Sequence, residues 1–150
     1  MSQSLSKIYV HIVFSTKGRA DMIPQPILHD VHSYIAGILM NENCPPISIG
    51  GTQNHIHILC ILDKNKSAST LVGNIKSNSS KWIHETNTGC RLFDWQDGYS
   101  IFSVSQSQLK KTTQYIENQE SHHHTESFKE EIIKFLKAYE IDYDERYLLG

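Results

Sequence analysis

Residues 55–62, His-Ile-His-Ile-Leu-Cys-Ile-Leu, constrain the fold more than any other stretch. An isoleucine-rich run of this length, bounded by Gly50, Gly51 and Asn54 before it and Asp63 after it, reads as a buried strand. Ile47 to Ile49 reads as a short strand ahead of it, and Gly50-Gly51 with Asn54 reads as the turn of a β-hairpin. Alternate side chains on a strand share a face, so His55 and His57 point the same way, roughly 6–7 Å apart, while Ile56 and Ile58 turn into a core. Two imidazoles side by side on a rigid strand form half of a metal site. They are also what a half-exposed surface strand would show, and the pair alone does not decide between the two.

The remaining chain supplies the partners of that hairpin. Residues 7–16 are β-branched and aromatic, with Val10, Ile12 and Phe14 on one face and Tyr9, His11 and Val13 on the other. Pro24 and Pro26 stand where a helix begins, and residues 27–40 carry Ile27, Val31, Ile35, Ile38 and Leu39 at helical intervals. Ser67 or Ser69 caps a helix reaching about Glu85. Tyr99 to Val104 alternates as a further strand. A helix from Gln108 to about Gln119, with Ser105 or Ser107 as its cap, and another from about Ser127 to Tyr139 complete the chain. The order predicts an α+β fold: one ferredoxin- or RRM-like βαββαβ antiparallel sheet with helices on one face, plus C-terminal helices, in a single domain over residues 1–150. Many functions share this plan, so it names none.

Bulk properties exclude more than they identify. The net charge is -2 and the pI is about 6.5. Residues 1–84 carry a net +3 and residues 85–150 a net -5. A basic half beside the histidines can meet phosphate, whereas the acidic end mostly cannot. Cys44, Cys60 and Cys90 are odd in number and scattered, which fits a reducing cytoplasm rather than a disulfide framework. No apolar run approaches the length of a membrane span, and the N-terminus lacks the basic region of a signal peptide.

In the helix from Gln108, Lys111, Tyr115 and Gln119 recur every four residues and line one face, while Leu109 and Ile116 are left for the core. A solvated polar face is one reading. In the other, the Tyr115 hydroxyl is a nucleophile, the Gln119 amide oxygen completes a metal site begun by His55 and His57, and Lys111 steadies a phosphate or favours the ionised phenol. Two imidazoles and an amide bring no negative charge, so a divalent ion would keep its full charge for substrate oxygens, which suits phosphodiester chemistry.

His55-Ile56-His57, followed by Tyr115 with Gln119 four residues on, resembles the single-tyrosine HUH transposases of small insertion sequences and of repetitive extragenic palindromes. The resemblance extends over nearly the whole chain. The stretch from His11 to Arg19 looks like the family's opening strand, and Ser79 to Ile83 like its second helix. Phe93 to Ser105 looks like the approach to the tyrosine helix, and Tyr115-Ile116-Glu117-Asn118-Gln119 with His122-His123 like the end of that helix.

The resemblance implies cleavage and rejoining of single-stranded DNA with hairpin ends. Tyr115 would form a 5′-phosphotyrosine, and Mg²⁺ or Mn²⁺ would be held by His55, His57 and Gln119. It also implies a homodimer, in which the tyrosine helix of one chain can serve the His pair of the other. Lys17, Arg19, Lys76, Lys81 and Lys111 are candidate phosphate contacts, each also readable as solvated surface. His122, His123 and His124 suit either a metal or a helix end, and His11 reads as a sheet residue. Trp82 and Trp95 read as core anchors rather than stacking platforms. A metal-dependent phosphodiesterase using water and a non-catalytic nucleic-acid-binding module are the alternatives. The absence of a carboxylate near the His pair counts against the first.

Overall fold

The computed structural model describes residues 2–122 and 126–150. Four strands form one antiparallel sheet: β1 (Ile8–Ser15), β2 (Pro46–Thr52), β3 (His55–Leu62) and β4 (Ser100–Val104), in the order β2-β3-β1-β4. The helices are α1 (Leu28–Asn41), α2 (Ala68–Thr86), α3 (Leu109–Glu117), α4 (Gln119–His122) and α5 (Phe128–Ala138). The βαββαβ plan expected from the sequence is therefore the one observed, and β3, the run that anchored the reading, is an inner strand.

The two faces of the sheet do different work. Val10, Ile12 and Phe14 of β1 and Ile56, Ile58 and Cys60 of β3 pack against the apolar stripes of α1 and α2. Trp95 joins this core, its ring 4.9 Å from that of Phe14 and its Nε1 donating to Ser79 Oγ at 2.9 Å. Trp82 is partly buried and stacks on Tyr34. The three cysteines are buried and unbridged. On the opposite face, Val13 and Phe102 pack against Phe128, Ile132 and Leu136 of α5. β1 pairs His11 with Leu59, Val13 with His57 and Ser15 with His55, so the histidines share this second face with the smaller core.

Several boundaries differ from the sequence reading for identifiable reasons. Gly50 and Gly51 lie within β2, and the turn falls at Gln53 and Asn54. Gly50 is there because α3 crosses β2 closely. A Cβ at residue 50 would collide with the Ile116 carbonyl oxygen and come within 2.9 Å of Ile116 Cγ2. The helix expected to run unbroken to Gln119 ends at Glu117. Asn118 leaves helical geometry at φ -99°, ψ 20°, and a short new turn starts at Gln119. Neither Ser105 nor Ser107 caps α3 with its side chain; a 3₁₀ turn over Gln106–Gln108 leads into it. Ser67 and Ser127 do cap, accepting from the backbone N–H of Thr70 and Glu130. No helix among the described residues is long and apolar enough to cross a membrane.

Candidate active site

The site assembles where β3, α3, α4 and α5 meet on the second face of the sheet. His55 opens β3 and is fully buried. Its Nδ1 lies 2.8 Å from Asn54 Oδ1, which also accepts the Thr52 hydroxyl at 3.1 Å. The Thr52 hydroxyl also lies 3.0 Å from Nδ1, and Nε2 is in hydrogen-bond reach of Gln119 Oε1, 2.9 Å away. His57, also fully buried, shares a 2.7 Å hydrogen bond with His11 through Nδ1 and sets its Nε2 2.9 Å from Glu131 Oε1.

Glu131 is the candidate site residue absent from the sequence reading. It sits on α5, is 1% exposed, and is the hub of the cluster. Its Oε1 faces the Nε2 atoms of both histidines, at 2.9 Å from His57 and 4.0 Å from His55. Its Oε2 accepts from the Tyr115 hydroxyl and from Gln119 Nε2 at 3.2 Å. The expected charge-free surroundings of the His pair are thus corrected: a buried carboxylate lies among them. A signal was present in the sequence. Phe128, Glu131, Ile132 and Phe135 fall at i, i+3, i+4 and i+7 on an amphipathic helix, so an acid occupies a position in the apolar stripe. Buried carboxylates persist only when paired or bound to a metal.

The donor set fits a divalent cation. Among the described residues, donor atoms of His55, His57 and Glu131 lie within 4.8 Å of one another, and all three residues are buried. Neighbouring ligands held at about 2.1 Å on perpendicular bonds stand about 3 Å apart, and the His55–Gln119 and His57–Glu131 atom pairs are each 2.9 Å apart. His11 lies behind this set as an outer neighbour. Burial, and then the charge of His57, lower its pKa to about 3, so it stays neutral and can accept the His57 Nδ1 proton that frees Nε2 for a metal.

Tyr115 reaches the same cluster from α3, its ring centroid 5.8 Å from that of His57. Burial, and then the hydrogen bond and negative charge of Glu131, push its hydroxyl well above the usual phenol range. The expectation that Lys111 favours an ionised phenol is not met in this arrangement. Lys111 is exposed and lines a pocket with Tyr115 and His11. The phenol is protonated and donates to a carboxylate able to take its proton.

The structure brings Tyr115, His55, His57 and Gln119 together within one chain, with Lys111 in the pocket beside Tyr115, and the remaining candidates lie farther off. Arg19 lines a groove with Asn54 and Phe128, neighbours of the His55 end of the site. Lys17 is exposed, 3.8 Å from Asp94. Lys76 and Lys81 are on α2, across the sheet from Tyr115. The Lys76 ammonium donates to the carbonyls of Gln96, Asp97 and Gly98. The metal-binding alternative at His122–His124 falls on residues 123 and 124, outside those described, and on the side chain of His122, which is likewise not described.

A family profile described as IS200-like transposase matches residues 4–119. Among curated protein sequences, none matches the chain significantly. Several solved structures share its fold, two of which follow. One is a Deinococcus radiodurans R1 protein assigned as a transposase, with TM-score 0.59 and 19% identity over 79% of this chain and 98% of that one. The other is a REP-associated tyrosine transposase bound to a REP hairpin, with TM-score 0.57 and 14% identity over 82% of this chain and 74% of that one.

Proposed function

Because this chain belongs to the IS200-like transposase family, we propose that it cleaves and rejoins single-stranded DNA through a covalent link to Tyr115. The observation that carries this reading is the convergence, inside one chain, of a half-buried tyrosine hydroxyl with two imidazoles, an amide and a carboxylate. Tyr115 Oη attacks a backbone phosphorus, and the P–O3′ bond breaks. The products are a 5′-phosphotyrosine and a strand ending in a 3′-hydroxyl. Glu131 Oε2 takes the phenolic proton, and the departing 3′-oxygen takes one from solvent water, so the step moves one proton from the phenol to Glu131 and one from water to the new 3′-hydroxyl. Attack by another 3′-hydroxyl reverses the step and restores the phenol. One ester is exchanged for another, so rejoining needs no ATP. His55, His57 and Glu131, with Gln119, would hold a divalent cation, Mg²⁺ or Mn²⁺, which would offset charge developing on the phosphate oxygens. Imidazole ligands favour Mn²⁺, while cellular abundance favours Mg²⁺.

His55, His57, Gln119 and Glu131 are each no more than 1% exposed. Admission of a phosphodiester therefore requires the layer formed by α3 and α5 to part from the sheet. Hairpin ends as the recognised feature draw support from the structural relative that is bound to a REP hairpin. The reading includes a homodimer acting in the cytoplasm, each protomer carrying a whole site. In the test, a labelled hairpin-bearing single strand incubated with protein and Mn²⁺ yields a denaturation-resistant protein–DNA adduct, and Tyr115→Phe yields none. An adduct that survives Tyr115→Phe removes that residue from the mechanism.

Glu131 also favours one second reading, a metal-dependent phosphodiesterase in which water attacks, since a carboxylate beside two imidazoles can orient a water. It predicts hydrolysed strands, no adduct, and cleavage that persists in Tyr115→Phe.

A further inference from the structure

A pocket of about 440 Å³ opens beside Tyr115, between the end of β4, the first turns of α3 and the end of α5. It shares only His11 and Tyr115 with the site described above. Aromatic rings make its walls. The Phe135 ring stands edge-on to both His11 and Tyr115, with centroids 5.2 and 5.8 Å away. Tyr139 closes the pocket at the end of α5, where its hydroxyl donates to the Ser103 carbonyl at 2.8 Å. The polar lining comes from Gln108, Lys111 and Thr112. Lys111 and Gln108 are exposed, and no hydrogen bond or ion pair engages these three side chains among the described residues.

We propose that this pocket receives the base of the nucleotide that flanks the phosphate attacked by Tyr115; the proposal rests on the reading of Tyr115 as the nucleophile. Whatever fills the pocket lies against the nucleophile's own ring, so it belongs to the part of the strand next to the reacting bond. A sugar–phosphate segment would call for several cations, and the pocket has one. A flat heterocycle suits the rest: rings on which to stack, and an amide and a hydroxyl that can both donate and accept along its edge. Lys111, one turn before Tyr115 on α3, is left for the phosphate on the outer side of that nucleotide. Sequence selectivity at this one position would then come from Gln108 and Thr112 rather than from a hairpin.

The test uses binding rather than cleavage, so that it stands even where no adduct forms. Tyr115→Phe protein, which keeps the aromatic wall, is titrated with hairpin-bearing single strands that carry 2-aminopurine at one position at a time. The expected result is strong fluorescence quenching at a single position next to the cleavage site. Tyr139→Ala or Gln108→Ala should relieve that quenching and weaken binding about five- to a hundredfold, the range of one base–aromatic stack. An abasic residue at the same position should weaken binding of the parent protein equally and that of Tyr139→Ala little further. Quenching at no position, or at a position that neither variant alters, overturns the pocket's role. A missing adduct in wild-type protein with quenching intact instead overturns the role given to Tyr115.

Discussion

At the level of single residues, Glu131 is the group on which the site turns, because it touches both imidazole positions, the amide and the phenol. Glu131→Gln keeps the shape but removes the charge. Mn²⁺ affinity, measured by calorimetric titration or by the paramagnetic signal of the free ion, is expected to fall at least about tenfold. Unchanged affinity would leave the metal to the histidines and Gln119 alone. Strand alternation sets His55 beside His57 and helical spacing brings Tyr115 near Gln119, while the resemblance to a known family is what joined the two pairs. The apolar stripe of α5 marks Glu131 as buried, but its meeting with His57, 74 residues away, is tertiary and no local pattern reports it.

A second residue sets a pH dependence. Burial, and then the neighbouring charge of His29, lower the His32 pKa to about 4, while Glu120 opposes this. Its Nε2 has no hydrogen-bond partner among the described residues. The unfolded chain therefore binds a proton at His32 that the folded chain refuses between about pH 6.5 and 4, and the stability it contributes above 6.5 is lost across that window. Because the side chain is only partly buried, about 1–2 kcal/mol is expected after discounting for solvent. Urea midpoints at pH 7 and pH 5 check it: wild type should lose more than His32→Gln between the two.

At the level of elements, the approach of α3 to β2 fixes the reach of Tyr115. Gly50 lets the Ile116 backbone lie against the strand, and Ile116 is flanked by Tyr115. Gly50→Ala is expected to cost about 1–3 kcal/mol in overpacking. It should also lower the adduct-forming rate more than tenfold by lifting Tyr115 and Gln119 from the histidines. Thermal unfolding and single-turnover adduct assays measure the two effects separately. The sequence located α3 but ran it through Asn118. Helical spacing of Lys111, Tyr115 and Gln119 was the cue, and the break shows that Gln119 meets His55 by starting a new turn. The glycine pair was taken for the hairpin turn because turn chemistry and close backbone approach both select glycine.

At the level of the whole molecule, the βαββαβ order was legible because each strand and helix carries its own period. Which face holds which helices was less legible. The alternation in β1 and β3 names two faces, but only tertiary packing assigns α1 and α2 to one and α5 to the other. Within one chain, Tyr115 lies against His57 and Glu131. Mixing Tyr115→Phe with His57→Ala protein should therefore restore no cleavage, whatever the oligomeric state. Recovery of about a quarter to a half of wild-type activity would show that subunits exchange their tyrosine helices.

The central claim is that Tyr115 becomes bonded to DNA. Mass spectrometry of the proteolysed adduct, formed with a hairpin-bearing single strand and Mn²⁺, tests it most directly. The account predicts a nucleotide mass on the peptide containing Tyr115, abolished by chelation of the metal. Cleaved strands with no mass added to the protein, or an adduct on any other residue, would contradict it.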